Sequence, residues 1–322
     1  MSSVVPPVTH PRRFRFGVEM MHPFEGMSWV DTAREVESLG YSTLFVPDHF
    51  HEGFGPISAM TAAAVATTTL HVAPMVFACD FRHPAVVARE LASIDIMSAG
   101  RLEVGLGAGY QETDYFPTGI AMDSPGVRVS RLIEHTTVLR GLFGPEPLTF
   151  EGDHYRITAL DGTPKPHRPG GPPILIAGGG KRLLTFAAQA ADIIGVNPSL
   201  PSATLRGTAG RDALTGPIDE KFEWIRAAAG DRFDSLEVNA WMAAAVVTGT
   251  SAEAEAIASK MFPGFGAAPE DVLASPIVLV GTETQITERL HERRERWGYS
   301  YHVLPAGRAH QFSPLVQRLT GT

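Results

Sequence analysis

Three short stretches of this chain bring together residue types that can move protons or hold anions. Asp48 and His49 form a carboxylate–imidazole pair at the end of an apolar run, with Phe50 and His51 next. An imidazole placed there can donate or accept a proton near neutral pH. The plainer reading is that Asp48 caps the following turn and satisfies His49. Ala177-Gly178-Gly179-Gly180 ends another apolar run and opens a helix-like segment that begins Lys181-Arg182. A glycine turn from strand to helix leaves backbone N–H groups free for a phosphate. A tight turn without a ligand would use the same glycines. Gly105-Leu106-Gly107-Ala108-Gly109-Tyr110 is the third stretch. It lacks the spacing of a dinucleotide fingerprint. It fits either close backbone approach to a flat ring or, again, a tight turn. Glu19 adds a carboxyl at the end of the first apolar run. His22, His49, His51 and His83 match no recognised zinc spacing, so no metal site is expected.

These stretches share one kind of place, the boundary between an apolar run and an amphipathic one. Runs at 14–20, 43–47, 70–78, 101–106, 173–177, 192–196, 236–248 and 301–304 read as strands, with a further short one at 278–280. Between them, 28–39, 57–68, 84–98, 126–143, 181–191, 217–230, 252–261 and 283–297 read as helices. Ser28 is an expected N-cap and Gly40 an expected helix stop. Strands that are continuously apolar, rather than alternating, point to a parallel sheet covered by helices. About eight such units over this length favour a closed (β/α)8 barrel, the TIM-barrel architecture. In a barrel, chemistry gathers at the C-terminal ends of the strands, where the three stretches fall. Residues 1–13 are expected to be a flexible lead-in and 14–322 a single barrel domain. Insertions are expected near 144–172, 197–216 and 262–275. The first holds a small hairpin at 149–157, and the second is a polar loop long enough to act as a lid.

Composition narrows the function. Of 322 residues, 44% are hydrophobic and 19% charged, enough for a large core. The formal charge of −8, with 27 basic against 35 acidic residues, gives no footprint for nucleic acid. A small-molecule substrate is expected. No stretch approaches the roughly 20 apolar residues of a membrane span, and the N-terminus does not read as a signal peptide. The one cysteine, Cys79, rules out an internal disulfide and fits a cytoplasmic location. An aldolase would want a lysine at a strand end, yet Lys165, Lys181, Lys221 and Lys260 fall in loops or helices.

The combination of segments resembles the luciferase-like oxidoreductases. The resemblance rests on 43–49 (TLFVPDH), 81–90 (FRHPAVVARE), 98–109 (SAGRLEVGLGAG), 173–180 (PILIAGGG) and 187–195 (AAQAADIIG). It covers residues 14 to 200 well and the last third only in outline. It implies a (β/α)8 barrel with a small β insertion and a flavin-type ring in the barrel mouth. The cofactor is either the deazaflavin coenzyme F420, for hydride transfer, or FMN, for monooxygenation with a separate reductase. The sequence looks most like an actinobacterial F420-dependent branch, with a non-catalytic cofactor-binding barrel as a further alternative. The resemblance places Asp48 and His49 near ring and substrate. It places Val76, Phe77 and Ala78 in a bulge behind the ring, with a non-proline cis peptide within 75–78. Gly107, Ala108, Gly109 and Tyr110 meet the ring edge, and Ala177, Gly178, Gly179 and Gly180 cradle its phosphate. His49 is the first choice for general acid/base and Glu19 the second. Phe50, Phe77, Phe81 and Tyr110 would wall the site. Tyr110 stands where deazaflavin dehydrogenases of sugar phosphates commonly carry a glutamate. A homodimer through barrel helices is also implied.

Overall fold

The computed structural model describes residues 12–199, 208–261 and 267–322. Most of the expected lead-in, and the parts of the expected loops at 200–207 and 262–266, lie outside the described residues.

Thirteen strands are described: β1 (Arg15–Glu19), β2 (Thr43–Val46), β3 (His71–Pro74), β4 (Phe77–Ala78), β5 (Val104–Gly107), β6 (Leu148–Glu151), β7 (Arg156–Leu160), β8 (Ile174–Gly178), β9 (Ile193–Val196), β10 (Glu237–Trp241), β11 (Ala244–Val247), β12 (Val278–Gly281) and β13 (Tyr299–Pro305). Nine form one parallel sheet in the order β3-β2-β1-β13-β10-β9-β8-β5-β4. β3 and β4 are two pieces of the expected third strand. A parallel bridge between Val72 and Leu102 joins the ends of the sheet, so the sheet closes on itself. This is the expected (β/α)8 barrel, with its third strand interrupted. The break holds a cis peptide between Met75 and Val76, within the stretch expected to carry one.

Helices alternate with the strands and begin where the sequence predicts. Ser28 accepts a hydrogen bond from the Asp31 N–H and caps the helix Trp29–Ser38. Gly40 follows its end in the left-handed region. β6 and β7 pair antiparallel as the expected small hairpin outside the barrel.

Two expectations need correction. The apolar run 236–248 is not one strand. β10 stays in the barrel, but at Ala243 the chain turns its backbone to Ile277, and β11 pairs in parallel with β12. This two-stranded sheet packs with Ala254, Ala258 and Val272 in a small core of its own. Residues 240–247 are apolar without a break, so the change of partner at Ala243 leaves no mark in the sequence. The chain also does not finish at the last strand. A helix at Ala309–Leu319 follows it and buries Phe312, Leu315, Val316 and Leu319. Pro314 inside it disguises the helix as a loop.

Alternation along β1 divides the barrel interior into layers. Arg15, Gly17 and Glu19 share one face. At the middle position a Cβ on Gly17 would lie 2.5 Å from the Phe45 ring, so Phe45 fills that layer. Around it lie Ala73, Leu175, Ile193, Tyr301 and Val303. At the N-terminal end Arg15 binds both Glu103 and Glu237, and its guanidinium lies 3.5 Å from the centre of the Tyr301 ring. The Glu103 carboxylate also meets His71 Nδ1 at 3.1 Å and accepts from the Tyr301 hydroxyl at 3.2 Å. Burial alone would raise this carboxyl, but Arg15 and His71 outweigh it and hold Glu103 at about 2. Its stabilising share is therefore complete above the ordinary 4.5 and is lost as pH falls towards about 2. Glu103→Gln should cost about 1–3 kcal/mol at neutral pH, because Arg15 keeps Glu237 but the charge-assisted bonds to Glu103 are lost. The difference from the parent in urea unfolding should shrink below pH 4.5.

Candidate functional site

The C-terminal ends of the barrel strands enclose a cavity of about 1080 Å3. Glu19 enters it from β1, Asp48 and His49 from the turn after β2, and Met75, Val76 and Ala78 from the break between β3 and β4. Gly107, Ala108, Gly109 and Tyr110 follow β5, and Ala177, Gly178, Gly179 and Gly180 follow from β8. Thus every expected site residue but one lines a single cavity. The exception is Phe77, which is 2% exposed and belongs to the main core, with the Arg82 guanidinium 4.9 Å from its ring centre. Strand alternation turns it away from the side that Val76 and Ala78 share. Of the other aromatic residues expected in the wall, Phe81 and Tyr110 line the cavity, while Phe50 is half exposed outside it.

Asp48 has a different part from the one expected. It is 6% exposed and accepts from both Arg82 Nη atoms, at 2.6 and 2.8 Å. It also accepts the Ala78 N–H at 3.2 Å. Asp48 instead fastens the backbone just beyond the cis peptide, and so positions the wall of the cavity.

His49 is partnered by a residue that the sequence did not reveal. Its Nδ1 lies 2.7 Å from Asp114, on the short helix Glu112–Tyr115 that follows the glycine stretch. Asp114 also accepts the Phe50 N–H at 3.0 Å, and His51 Nδ1 lies 3.5 Å from it. Burial would raise the Asp114 carboxyl, but these three neighbours hold it below its ordinary value. With Nδ1 committed to an anion, Nε2 is the His49 nitrogen left for other partners. The ligand atoms of His49, His51 and Asp114 lie within 4.8 Å of one another, a spacing that a metal ion could also use.

Glu19 and Tyr110 complete the proton-bearing groups. Burial raises the Glu19 carboxyl, and the Trp241 indole N–H, which donates to it at 2.8 Å, and the charge of His49 offset only part of this. Burial also raises the Tyr110 hydroxyl, helped by the charges of Glu19 and Asp114. Trp241 escaped the sequence reading because nothing marked where the barrel half of 236–248 ends.

The glycines resolve into two kinds. A Cβ on Gly105 would lie 2.1 Å from the Pro74 carbonyl oxygen, and one on Gly107 would lie 2.6 Å from a Val76 methyl. A Cβ on Gly109, at φ +72°, would strike the Tyr115 hydroxyl. These three are required by the protein's own packing, the first two against the interrupted strand and Gly109 against Tyr115 of the helix Glu112–Tyr115. Gly180 differs, since a Cβ there would meet nothing within 4 Å. It is the N-cap of Lys181–Ala190, and no side chain caps that helix. Its first-turn N–H groups are therefore free to hold an anion from the cavity. On the same wall the Asn197 side-chain oxygen is buried without a donor among the described residues, and would accept from a ligand N–H.

Comparison with known proteins agrees with this geometry. Residues 23–271 match the luciferase-like monooxygenase family. An F420-dependent glucose-6-phosphate dehydrogenase of Intrasporangium calvum is 31% identical over 173 residues, 51% of each chain. The match spans about half the length of that relative. Among solved structures, the coenzyme F420-dependent tetrahydromethanopterin reductase of Methanopyrus kandleri superposes with a TM-score of 0.72 at 19% identity, over 96% of this chain and 98% of that one. The oxygenating constituent of 3,6-diketocamphane monooxygenase from Pseudomonas putida, in complex with FMN, has a TM-score of 0.66 at 16% identity, over 95% and 96%. The fold is that of these barrels. The chain belongs to the luciferase-like monooxygenase family.

Above pH 4.5 the raised Glu19 carboxyl should weaken the fold. Its contribution to stability is complete below that value and is lost as pH rises through the folded-state one. Glu19→Gln should therefore gain on the parent in urea midpoint as pH rises above 4.5. Parallel curves would show that Glu19 is not held above its ordinary value.

Proposed function

We propose that the protein is a cytoplasmic F420-dependent oxidoreductase that transfers a hydride between the deazaflavin and a small organic molecule. The observation that carries this is the meeting, in one cavity, of an uncapped helix N-terminus at Gly180, a bulged wall at Met75–Val76 and the His49–Asp114 pair. The named activity of the relative described above supports the choice of deazaflavin. Gly178, Gly179 and Gly180 would hold the cofactor phosphate, and the Asn197 oxygen would take a ring N–H. When bound, the deazaflavin supplies the hydride chemistry. The chain's own part is to orient, to exclude water and to manage one proton. His49, aligned by Asp114, exchanges that proton through Nε2, and Glu19 is the second group able to do so. Met75, Phe81 and Tyr110 give an apolar wall.

A second reading is an FMN-dependent monooxygenase served by a separate reductase, supported by the likeness to the FMN-bound barrel. The protein also fits a homodimer. Val65 on the helix Pro56–Ala66, and Val86, Ile96 and Met97 on or beside the neighbouring helix Pro84–Met97, are exposed apolar residues. Among the described residues no helix is long and apolar enough to cross a membrane.

Titrating the protein with F420 and with FMN, followed by fluorescence, tests the cofactor. Tight F420 binding with weak FMN binding is expected, and the reverse would transfer the protein to the monooxygenase reading. Once a substrate is found, His49→Ala should lower kcat by about 100-fold or more and leave F420 affinity within about threefold. Asp114→Asn should shift the pH profile of kcat, because His49 loses its anion. Equal losses of turnover and cofactor affinity in His49→Ala would remove the acid/base role.

A further inference from the structure

The cavity has a second uncapped helix N-terminus. Ser124 precedes the helix Pro125–Phe143, but its side chain caps no N–H. Pro125 and Gly126 line the cavity, and a Cβ on Gly126 would meet nothing within 4 Å. One turn on, Arg128 is 8% exposed and also lines it. Its Nη1 donates to the Asp123 carbonyl at 2.7 Å, while its Nε is buried without an acceptor among the described residues. This turn adjoins the Gly180 turn directly. Arg182 reaches across from Lys181–Ala190 and donates to the Gly126 carbonyl at 2.9 Å and to the Ser130 hydroxyl at 3.3 Å. The nearby acids are already matched, since Arg131 binds both Asp80 and Asp123. Free N–H groups, a buried guanidinium with an unused donor and an excess of positive charge define an oxyanion site.

We propose that the first turn of Pro125–Phe143, with Arg128, forms a second oxyanion subsite beside Gly178–Gly180. It takes phosphate-class oxygens on the tail of the ligand in the cavity. The subsite deepens the deazaflavin reading and rests on it only for the identity of that tail.

Inorganic pyrophosphate is the probe, titrated by calorimetry into the parent, Arg128→Gln and Gly126→Asp. The parent should bind it saturably, and both variants should bind it at least about tenfold more weakly. Gly126→Asp guards against misfolding, because an acid in the first turn favours the helix. Its thermal midpoint should stay level or rise while anion binding falls. Displacement of pyrophosphate by intact F420, but not by the deazaflavin nucleoside that lacks the phosphate tail, supports the tail as the occupant. Displacement by neither supports the subsite with an anionic substrate as the source. If no deazaflavin binds, yet pyrophosphate does and Gly126→Asp weakens it, the subsite stands and the cofactor reading falls. Absence of pyrophosphate binding by the parent, or equal affinity in parent and Gly126→Asp, overturns the subsite.

Discussion

The barrel mouth depends on how closely the interrupted third strand lies against β5. Pro74 and Val76 approach β5 so nearly that only glycine fits at 105 and 107. The same interruption lets Val76 and Ala78 face the cavity while Phe77 anchors in the core. Asp48 then closes the arrangement from the neighbouring strand, taking the Ala78 N–H and the Arg82 guanidinium together. Removing any one of these parts would leave the others without a purpose. Glycine without a close neighbour only loosens a strand, and a buried carboxylate without its donors carries a desolvation penalty.

The barrel uses buried charge for opposite ends at its two openings. At the N-terminal end Glu103 is surrounded by Arg15, His71 and Tyr301, so its charge is matched and its proton held off. At the C-terminal end Glu19 has one indole N–H and a more distant imidazole, so burial prevails and its proton is retained longer. Both ends draw on the same face of β1, with Gly17 between them giving way to Phe45. A plug and a reactive group thus follow from one alternating strand. What separates them is only the number of donors within reach.

Most of this layout was legible because it rests on local pattern. Continuous apolar runs followed by Gly, Asp or His marked the strand ends, and the barrel rule placed their residues in one mouth. The resemblance located the cis peptide within four residues. What stayed hidden depends on contacts between distant segments. Asp114 lies 65 positions from His49, on a helix of four residues too short to show a period. The strand change at Ala243 falls inside the unbroken apolar stretch 240–247. The glycine stretch was read as either close approach to a flat ring or a tight turn, and at 105 and 107 the close neighbour is the protein's own chain. Asp48 looked reactive because a sequence cannot show that a carboxylate is already satisfied.

The groups around the mouth constrain one another in a way that no single residue reveals. The resemblance leads to the expectation of a carboxylate where Tyr110 stands, yet the site is not short of carboxyls. Glu19 and Asp114 reach it from β1 and from the helix after β5. Their environments push them apart: Asp114 stays ionised on three donors, while burial favours the protonated form of Glu19. The Tyr110 hydroxyl keeps its proton, since both carboxyls oppose a further negative charge beside them. One fixed anion at Asp114, one retained phenol proton at Tyr110 and one raised carboxyl at Glu19 are thereby set by burial, neighbouring charge and hydrogen bonds. A pair of titratable groups driven in opposite directions is the usual mark of an acid/base assignment. Here the fixed member is Asp114, and on the proposed reading the imidazole it aligns is the working group, while Asp48 is held by Arg82 and the Ala78 N–H.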